Sequence, residues 1–240
     1  MNFPAPCLCQ LCNATLGRPA NICRDCEEHL PWLAPGCTVC ALPLPEVGPG
    51  NRICHQCRRQ PPDFDRCLAL FDYLNPINGL ISRFKYHQDL AAGRLLRKLL
   101  QSNMLRFHRE MQLSLPQRLI PIPLHRSRLR QRGYNQSLEL CRGIQAATGI
   151  AIDRRSCRRI CPTSAQQGLD RRGREQNMAG AFSIHKPDRL RGLRHVAIVD
   201  DVVTTGATCN ELARLLRQYG VKQIDVWCLA RVPPEEETAT

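Results

Sequence analysis

The sequence predicts an α/β domain with a largely parallel sheet, preceded by a small cysteine-rich N-terminal domain. Two observations point to the α/β domain. Strand-like and helix-like stretches alternate from about residue 63 onward, and Val196, Ala197, Ile198 and Val199 form an unbroken apolar run of the kind buried on both faces of a parallel sheet. A third observation points to the smaller domain: four C-x-x-C pairs fall between Pro- and Gly-rich turns near the start of the chain. With 240 residues there is enough chain for one core and a small appendage. A composition of 43% hydrophobic and 23% charged residues is that of a globular protein, and no apolar run approaches the roughly 20 residues a membrane helix needs. The start, "MNFPAPCLCQLC", lacks the basic and then apolar pattern of a secretory signal, so a cytoplasmic location is expected. The fifteen cysteines then serve as thiols or metal ligands rather than disulfides.

The pairs are Cys9/Cys12, Cys23/Cys26, Cys37/Cys40 and Cys54/Cys57. Eight thiolates suit two four-cysteine zinc sites, taken consecutively as Cys9, Cys12, Cys23, Cys26 and Cys37, Cys40, Cys54, Cys57. About sixty residues with few aliphatics cannot build a core, and metal binding supplies the missing folding free energy. With all four positions filled by protein, such sites are structural. Disulfides or repeated redox pairs are the alternatives, and four pairs in register favour zinc over both. Cys7 competes with Cys9 for the first site, with the two-residue spacing to Cys12 favouring Cys9. Cys67, Cys141, Cys157, Cys161, Cys209 and Cys228 have no ligand spacing, and most read as buried filler.

Prolines 61 and 62 close this region, which places the boundary near residue 62 and divides the chain into 1–62 and 63–240. "CLALFDY" reads as a strand. From Ile77 to Met111 apolar residues recur at three and four, as in Leu95, Leu96, Leu99 and Leu100, predicting helix in one or two pieces. "RLIPIPL" over 118–124 is a short strand, "HRSRLRQRGYNQ" a basic loop, and a helix runs from about Ser137 to Thr148. A short strand follows around 150–160, and "CPTSAQQGLDRRGREQNMAGAF" lacks periodicity and reads as loop. After the 196–199 strand, Thr208-x-x-Glu211 has the form of a capping box, and Leu212, Leu215, Leu216 and Tyr219 mark one face of a helix that ends at Gly220. "VKQIDVWCLA" is the next strand, completing a βαβ unit.

The net charge of +13 is carried mostly by arginine, the lysines being Lys85, Lys98, Lys186 and Lys222. Between Arg118 and Arg174 thirteen arginines face Glu139, Asp153 and Asp170, a local balance of +10. The expected partner is a polyanion, either the phosphates of a small molecule or those of nucleic acid.

Asp200 and Asp201 end the 196–199 strand, where open α/β sheets bind their ligands. Beyond them lie Thr204, Thr205, Gly206, Ala207 and Thr208 at a helix N-terminus. Free N–H groups, hydroxyls and a glycine admitting close approach suit a terminal phosphate. The carboxylates repel phosphate but accept hydrogen bonds from vicinal hydroxyls. A ribose 5-phosphate satisfies both halves, whereas an acidic loop capping a structural helix explains the acids and threonines less well.

"VAIVDDVVTTGAT" resembles the phosphoribosyl pyrophosphate (PRPP) signature of type I phosphoribosyltransferases. Together with the four knuckles, "RFKYHQDLA", "PIPLHRSRLRQRGYNQS", "QQGLDRRGREQNMAGAF" and "IDVWCLAR", it is similar to the ComF/GntX family over nearly the whole chain. The resemblance implies a type I phosphoribosyltransferase-like fold with a five-stranded parallel sheet flanked by helices, and an N-terminal double zinc ribbon. It implies a PRPP loop from Asp200 to Thr208 and a pyrophosphate loop after "LIPIPL". Arg132, Gly133, Tyr134, Asn135 and Gln136 match the family's R-G-[FY]-N-Q, and Gln167, Arg171, Arg174 and Asn177 match its Q-x-x-x-R-x-x-R-x-x-N. Lys85, Arg132, Gly133, Asn135, Arg171 and Arg174 are thus the candidate polyanion contacts, with Mg²⁺ accompanying PRPP. Arg154, Arg155, Arg158 and Arg159 fit a solvated face better than Arg132 or Arg171 do.

Three functions remain open. The resemblance implies a role in DNA uptake and natural transformation, with handling of single-stranded DNA. A Mg-dependent phosphoribosyltransferase is the second, with no acceptor and no activating residue evident; His87 and His125 merely lie near basic motifs. A zinc-ribbon adaptor for competence proteins is the third. An aromatic content of 5%, with Tyr134 alone inside the basic span, argues against a stacking platform and for backbone-directed DNA contact.

Overall fold

The computed structural model describes residues 7–17, 21–44, 52–161 and 178–233. At the start, β1 (Cys7–Leu8) pairs antiparallel with β2 (Thr15–Leu16), and two short helices, α1 (Arg24–Glu28) and α2 (His55–Arg59), follow. Both helices begin on a cysteine: the sulfurs of Cys23 and Cys54 accept the N–H groups of Cys26 and Cys57 at 3.4 Å. In these two pairs the C-x-x-C spacing is one turn of helix, which puts both thiols on one side.

The remaining elements are β3 (Arg66–Asp72), α3 (Ile77–Tyr86), α4 (Leu90–Glu110), β4 (Arg118–Pro121), α5 (Arg126–Arg132), α6 (Gln136–Thr148), β5 (Ala151–Ile152), β6 (Cys157–Arg159), β7 (Phe182–Ile184), β8 (His195–Val203), α7 (Ala207–Gln218) and β9 (Gln223–Arg231). Five strands make one parallel sheet in the order β3-β9-β8-β4-β5, while β6 and β7 pair antiparallel beside it. Alternation along the two central strands feeds two cores. Ala197, Val199, Trp227 and Leu229 pack with Leu95, Leu96, Leu99, Leu100 and Leu140 of α4 and α6. Val196, Ile198, Ile224 and Val226 pack with Leu212, Ala213 and Leu216 of α7. Helices thus cover both faces, which is why the 196–199 run has no polar member.

The open edge of β3 is covered by the cysteine-rich region. Leu33 donates to the carbonyl of Leu70 at 2.8 Å, Asp72 to that of Pro31 at 2.9 Å, and Cys67 to that of Val39 at 2.7 Å. Trp32 stacks on Phe71 with ring centroids 4.6 Å apart. Covering an edge strand removes its unpaired backbone groups from competition with other chains.

Five expectations are corrected. "HRSRLRQR" is not loop: α5 runs through it, capped by the His125 ring before Arg126 and by Gly133 in the left-handed region (φ 81°) after Arg132. The strand expected around 150–160 is two strands in different sheets. The acids do not end their strand, because β8 continues through Asp200 and Asp201 to Val203. The capping box does not form: α7 starts from Gly206, and Glu211 instead accepts the N–H of Gly180 at 2.9 Å. Tyr219 sits past the helix end and is exposed. The helical stretch after Ile77 is indeed two helices, the second capped by Asp89 accepting from Ala91 and Ala92.

Candidate functional site

A pocket of about 290 Å³ opens where β8 passes into α7, and α5 forms its opposite wall. Its floor is the acidic pair. Asp200 and Asp201, adjacent on β8, find different partners. Asp201 is buried and its Oδ1 lies 2.8 Å from Nζ of Lys85, which α3 brings in. Asp200 is half-buried; its Oδ1 accepts from Oγ of Ser137 at 3.1 Å and from the Asp201 N–H at 2.9 Å. Burial, and then the charge of Asp201, push the Asp200 carboxyl up to about 7 against the opposing pull of Lys85. Asp200 is thus the carboxyl of the pair that exchanges its proton near neutrality.

Past Val203 the chain turns at Thr204, Thr205 and Gly206. Gly206 has φ 83°, and the N–H of Ala207 is held by Oγ1 of Thr205 at 3.3 Å. A side chain at 206 would meet no atom closer than ordinary van der Waals contact, so the left-handed backbone is what requires glycine. The turn aims the first N–H groups of α7 toward the pocket, which Thr204, Gly206, Ala207 and Thr208 all line.

On the facing wall, α5 divides its arginines: Arg128 and Arg132 line the pocket, while Arg126 and Arg130 are exposed. Arg132 donates to Oε1 of Gln136 at 2.5 Å and lies over the Tyr86 ring, 5.3 Å from its centroid. Gly133 and Asn135 act locally. Gly133 ends α5, and Asn135 caps α6 through the N–H of Leu138 while donating to the carbonyl of Ile122 at 2.9 Å. Tyr134 bonds the carbonyl of Phe84, tying the α5–α6 junction to the helix that carries Lys85. His125 caps α5 and His87 is exposed. Gln167, Arg171, Arg174 and Asn177 lie outside the described residues.

The cysteines gather as two tetrads, Cys9/Cys12/Cys23/Cys26 and Cys37/Cys40/Cys54/Cys57, with all four sulfurs of each within 4.8 Å of one another. Cys7 is exposed and stands outside the first. Tetrahedral zinc with Zn–S bonds of about 2.3 Å spaces its sulfurs roughly 3.8 Å apart. Cys12 and Cys23 are separated by 3.8 Å, and Cys40 and Cys54 by 3.7 Å. N–H groups also point at the sulfurs, Cys23 to Cys9 at 3.4 Å and Cys54 to Cys37 at 3.3 Å. Against the upward push of burial, such bonds hold the Cys9 thiol down to about 6 and Cys37 to about 7. Both tetrads suit structural zinc.

The comparisons agree with this architecture. Residues 167–238 match the phosphoribosyl transferase domain family. The chain is 38% identical to competence protein F of Haemophilus influenzae over 74% of its own length and 78% of that protein's. It is 34% identical to the DNA utilization protein YhgH of Salmonella typhimurium, covering 93% of this chain and 90% of that one. The chain belongs to the competence protein F (ComF) family. With YhgH of Escherichia coli K12 it again shares 34% identity over 93% of its length, so this ComF-family likeness takes in the cysteine-rich region as well as the sheet.

Three groups near the ComF-family pocket are not evident from sequence patterning. Ser137 supports Asp200 from 63 positions away. Arg159, expected on a solvated face, is buried, lines the pocket and lies 5.7 Å from the Phe182 ring centroid. The alternation of β6, with Cys157 and Arg159 in and Arg158 out, is the signal that would have found it. Arg231 reaches the loop from β9 through backbone carbonyls alone.

Proposed function

We propose that this protein handles DNA during uptake or utilisation, through a site that holds a ribose phosphate between the Asp200/Asp201 pair and the Thr204–Thr208 loop. One observation carries the reading. Acceptors for vicinal hydroxyls and donors for a terminal phosphate share one pocket with Arg128, Arg132 and Arg159. The acids face hydroxyls, the loop and α7 face a phosphate, and the guanidiniums accept further anionic groups. PRPP carries all three features, and Mg²⁺ accompanies it as the counter-ion of its pyrophosphate. The names of the relatives, competence protein F and DNA utilization protein, supply the context of DNA.

Single-stranded DNA is the macromolecular partner in this reading, bound by its backbone. Arg126, Arg130, Arg154, Arg155 and Arg158 are exposed and suit phosphate contacts. We place the cysteine-rich domain at 1–62, as a zinc-bound support and a surface for competence proteins, and the phosphoribosyltransferase-like domain at 63–240. The thiol-rich composition favours a reducing compartment, the cytoplasm. Among the described residues no helix is long and apolar enough to cross a membrane.

A second reading, transfer of the phosphoribosyl group from PRPP to an acceptor, is favoured by the arginines opposite the threonine loop. In this reading they stabilise a departing pyrophosphate. Binding of labelled single-stranded DNA, measured across a range of salt with and without PRPP, tests the main reading. A steep fall of affinity with salt is expected. Salt-independent binding, or no binding, removes DNA as the partner.

A further inference from the structure

We infer that Arg231 is a positioning residue for the phosphate loop and that it couples the second cysteine tetrad to that loop. The inference rests on the sugar-phosphate reading for its functional consequence, and on geometry alone for the coupling. Arg231 closes β9, in register with Val203, the last residue of β8. Its side chain is 4% exposed, and among the described residues no carboxylate pairs with it. The guanidinium instead donates to main-chain oxygens from three parts of the chain. Nη1 reaches the carbonyls of Val203 at 2.9 Å and Val232 at 2.8 Å, and also that of Thr204. Nε donates to the carbonyl of Cys40 at 2.9 Å, although Cys40 is 191 positions away. One buried cation therefore clamps both the entry to the phosphate loop and a ligand residue of the second tetrad.

Other contacts make the same junction. The N–H of Asp63 donates to Oδ1 of Asn210, in the first turn of α7, at 2.6 Å. Phe64 lies under Gly206, 3.8 Å from where a β-carbon would stand. The loop thus has a front facing the pocket and a back resting on Asp63 and Phe64, which follow the second tetrad in the chain. A zinc ion held by the four thiolates would fix the main chain at Cys40, and with it one of the acceptors of the buried guanidinium. The loaded second tetrad and Arg231 stabilise one another, and the loop takes its position from both. The first tetrad lies on the other side of the β3 contact, near Leu30 and Phe71, and has no such link to the loop among the described residues.

The test is amide hydrogen exchange over 203–208, measured with zinc content and PRPP affinity on the full-length protein. Arg231→Met is expected to keep both zinc ions, speed exchange in 203–208, and weaken PRPP binding about tenfold or more as the loop loses the bonds that hold its entry. Arg231→Lys, which keeps the charge but not the fork, is expected to be intermediate and serves if Arg231→Met does not fold. Graded chelation of the wild type is expected to speed exchange in 203–208 in step with loss of zinc from the second tetrad. Cys12→Ser, which empties the first, is expected to leave that exchange unchanged. Wild-type exchange rates in both Arg231 variants overturn the positioning role. Chelation effects confined to 37–57 overturn the coupling. If the wild type binds no PRPP, the sugar-phosphate reading fails, while the exchange data still decide the coupling.

Discussion

Lys85 and Asp201, 116 positions apart, form a nearly buried ion pair of 2.8 Å at the floor of the pocket. The pair joins α3 to the central strand and holds the Lys85 ammonium against a carboxylate of the pocket floor. Burial disfavours its charge, but Asp201 more than offsets this and raises the Lys85 ammonium above its ordinary range. Removing one partner strands the other in a low-dielectric setting. Lys85→Met is therefore expected to destabilise the fold by about 3 kcal/mol. Lys85→Met/Asp201→Asn should cost less than Lys85→Met alone, as read from urea denaturation.

Asp200 makes stability depend on pH in a stated direction. Its folded carboxyl titrates near 7, above the ordinary carboxylate range, so the folded state binds a proton more tightly than the unfolded chain. The associated stabilisation is complete at acid pH, declines as pH rises from the unfolded value, and is lost through neutrality. Between about pH 5 and about pH 8 the wild type should lose stability that Asp200→Asn retains, a difference visible in denaturation midpoints. Parallel pH profiles for the two proteins would remove the raised titration from the account.

Gly206 tests the loop independently of charge. Gly206→Ala places a methyl in ordinary van der Waals contact with Phe64 but in a left-handed backbone, which costs about 1 kcal/mol or more. The expected result is that modest loss in thermal denaturation together with weaker binding of ribose 5-phosphate. Unchanged binding would show that the loop tolerates a different path.

Zinc stoichiometry tests the tetrads. Two zinc ions per chain are expected by elemental analysis. Cys7→Ser should keep both, because Cys7 is exposed outside the first tetrad, whereas Cys9→Ser should keep one. Chelation should also disturb the edge of β3, whose outer hydrogen bonds come from residues 31–39.

The parts of this fold that were legible in sequence are those where chemistry repeats locally. Val196 to Val199 must be buried on both faces, and four C-x-x-C pairs in register point to two four-cysteine metal sites. Helix α5 was not legible, because "RSRLRQR" has one apolar residue, Leu129, and so no amphipathic period; its caps, His125 and Gly133, define it instead. The continuation of β8 through two aspartates runs against strand propensity and is sustained by pairing, as Asp200 with Cys228 and Val203 with Arg231. Thr208 and Glu211 have capping-box spacing, yet Gly206 starts the helix earlier and Gly180 takes the glutamate. For the site, the acids and the threonine loop are local and readable. Ser137 and Arg231 join them through distant sequence, where no spacing rule reaches, whereas the alternation of β6 carries the signal for Arg159.

The most direct test of the central claim is calorimetric titration of PRPP with Mg²⁺ into the wild type and into Asp200→Asn/Asp201→Asn. A ribose held by this pair predicts saturable one-to-one binding by the wild type and at least about a hundredfold weaker binding by the variant, from two lost charge-assisted hydrogen bonds. Equal affinity in the two proteins, or no binding by the wild type, would contradict it.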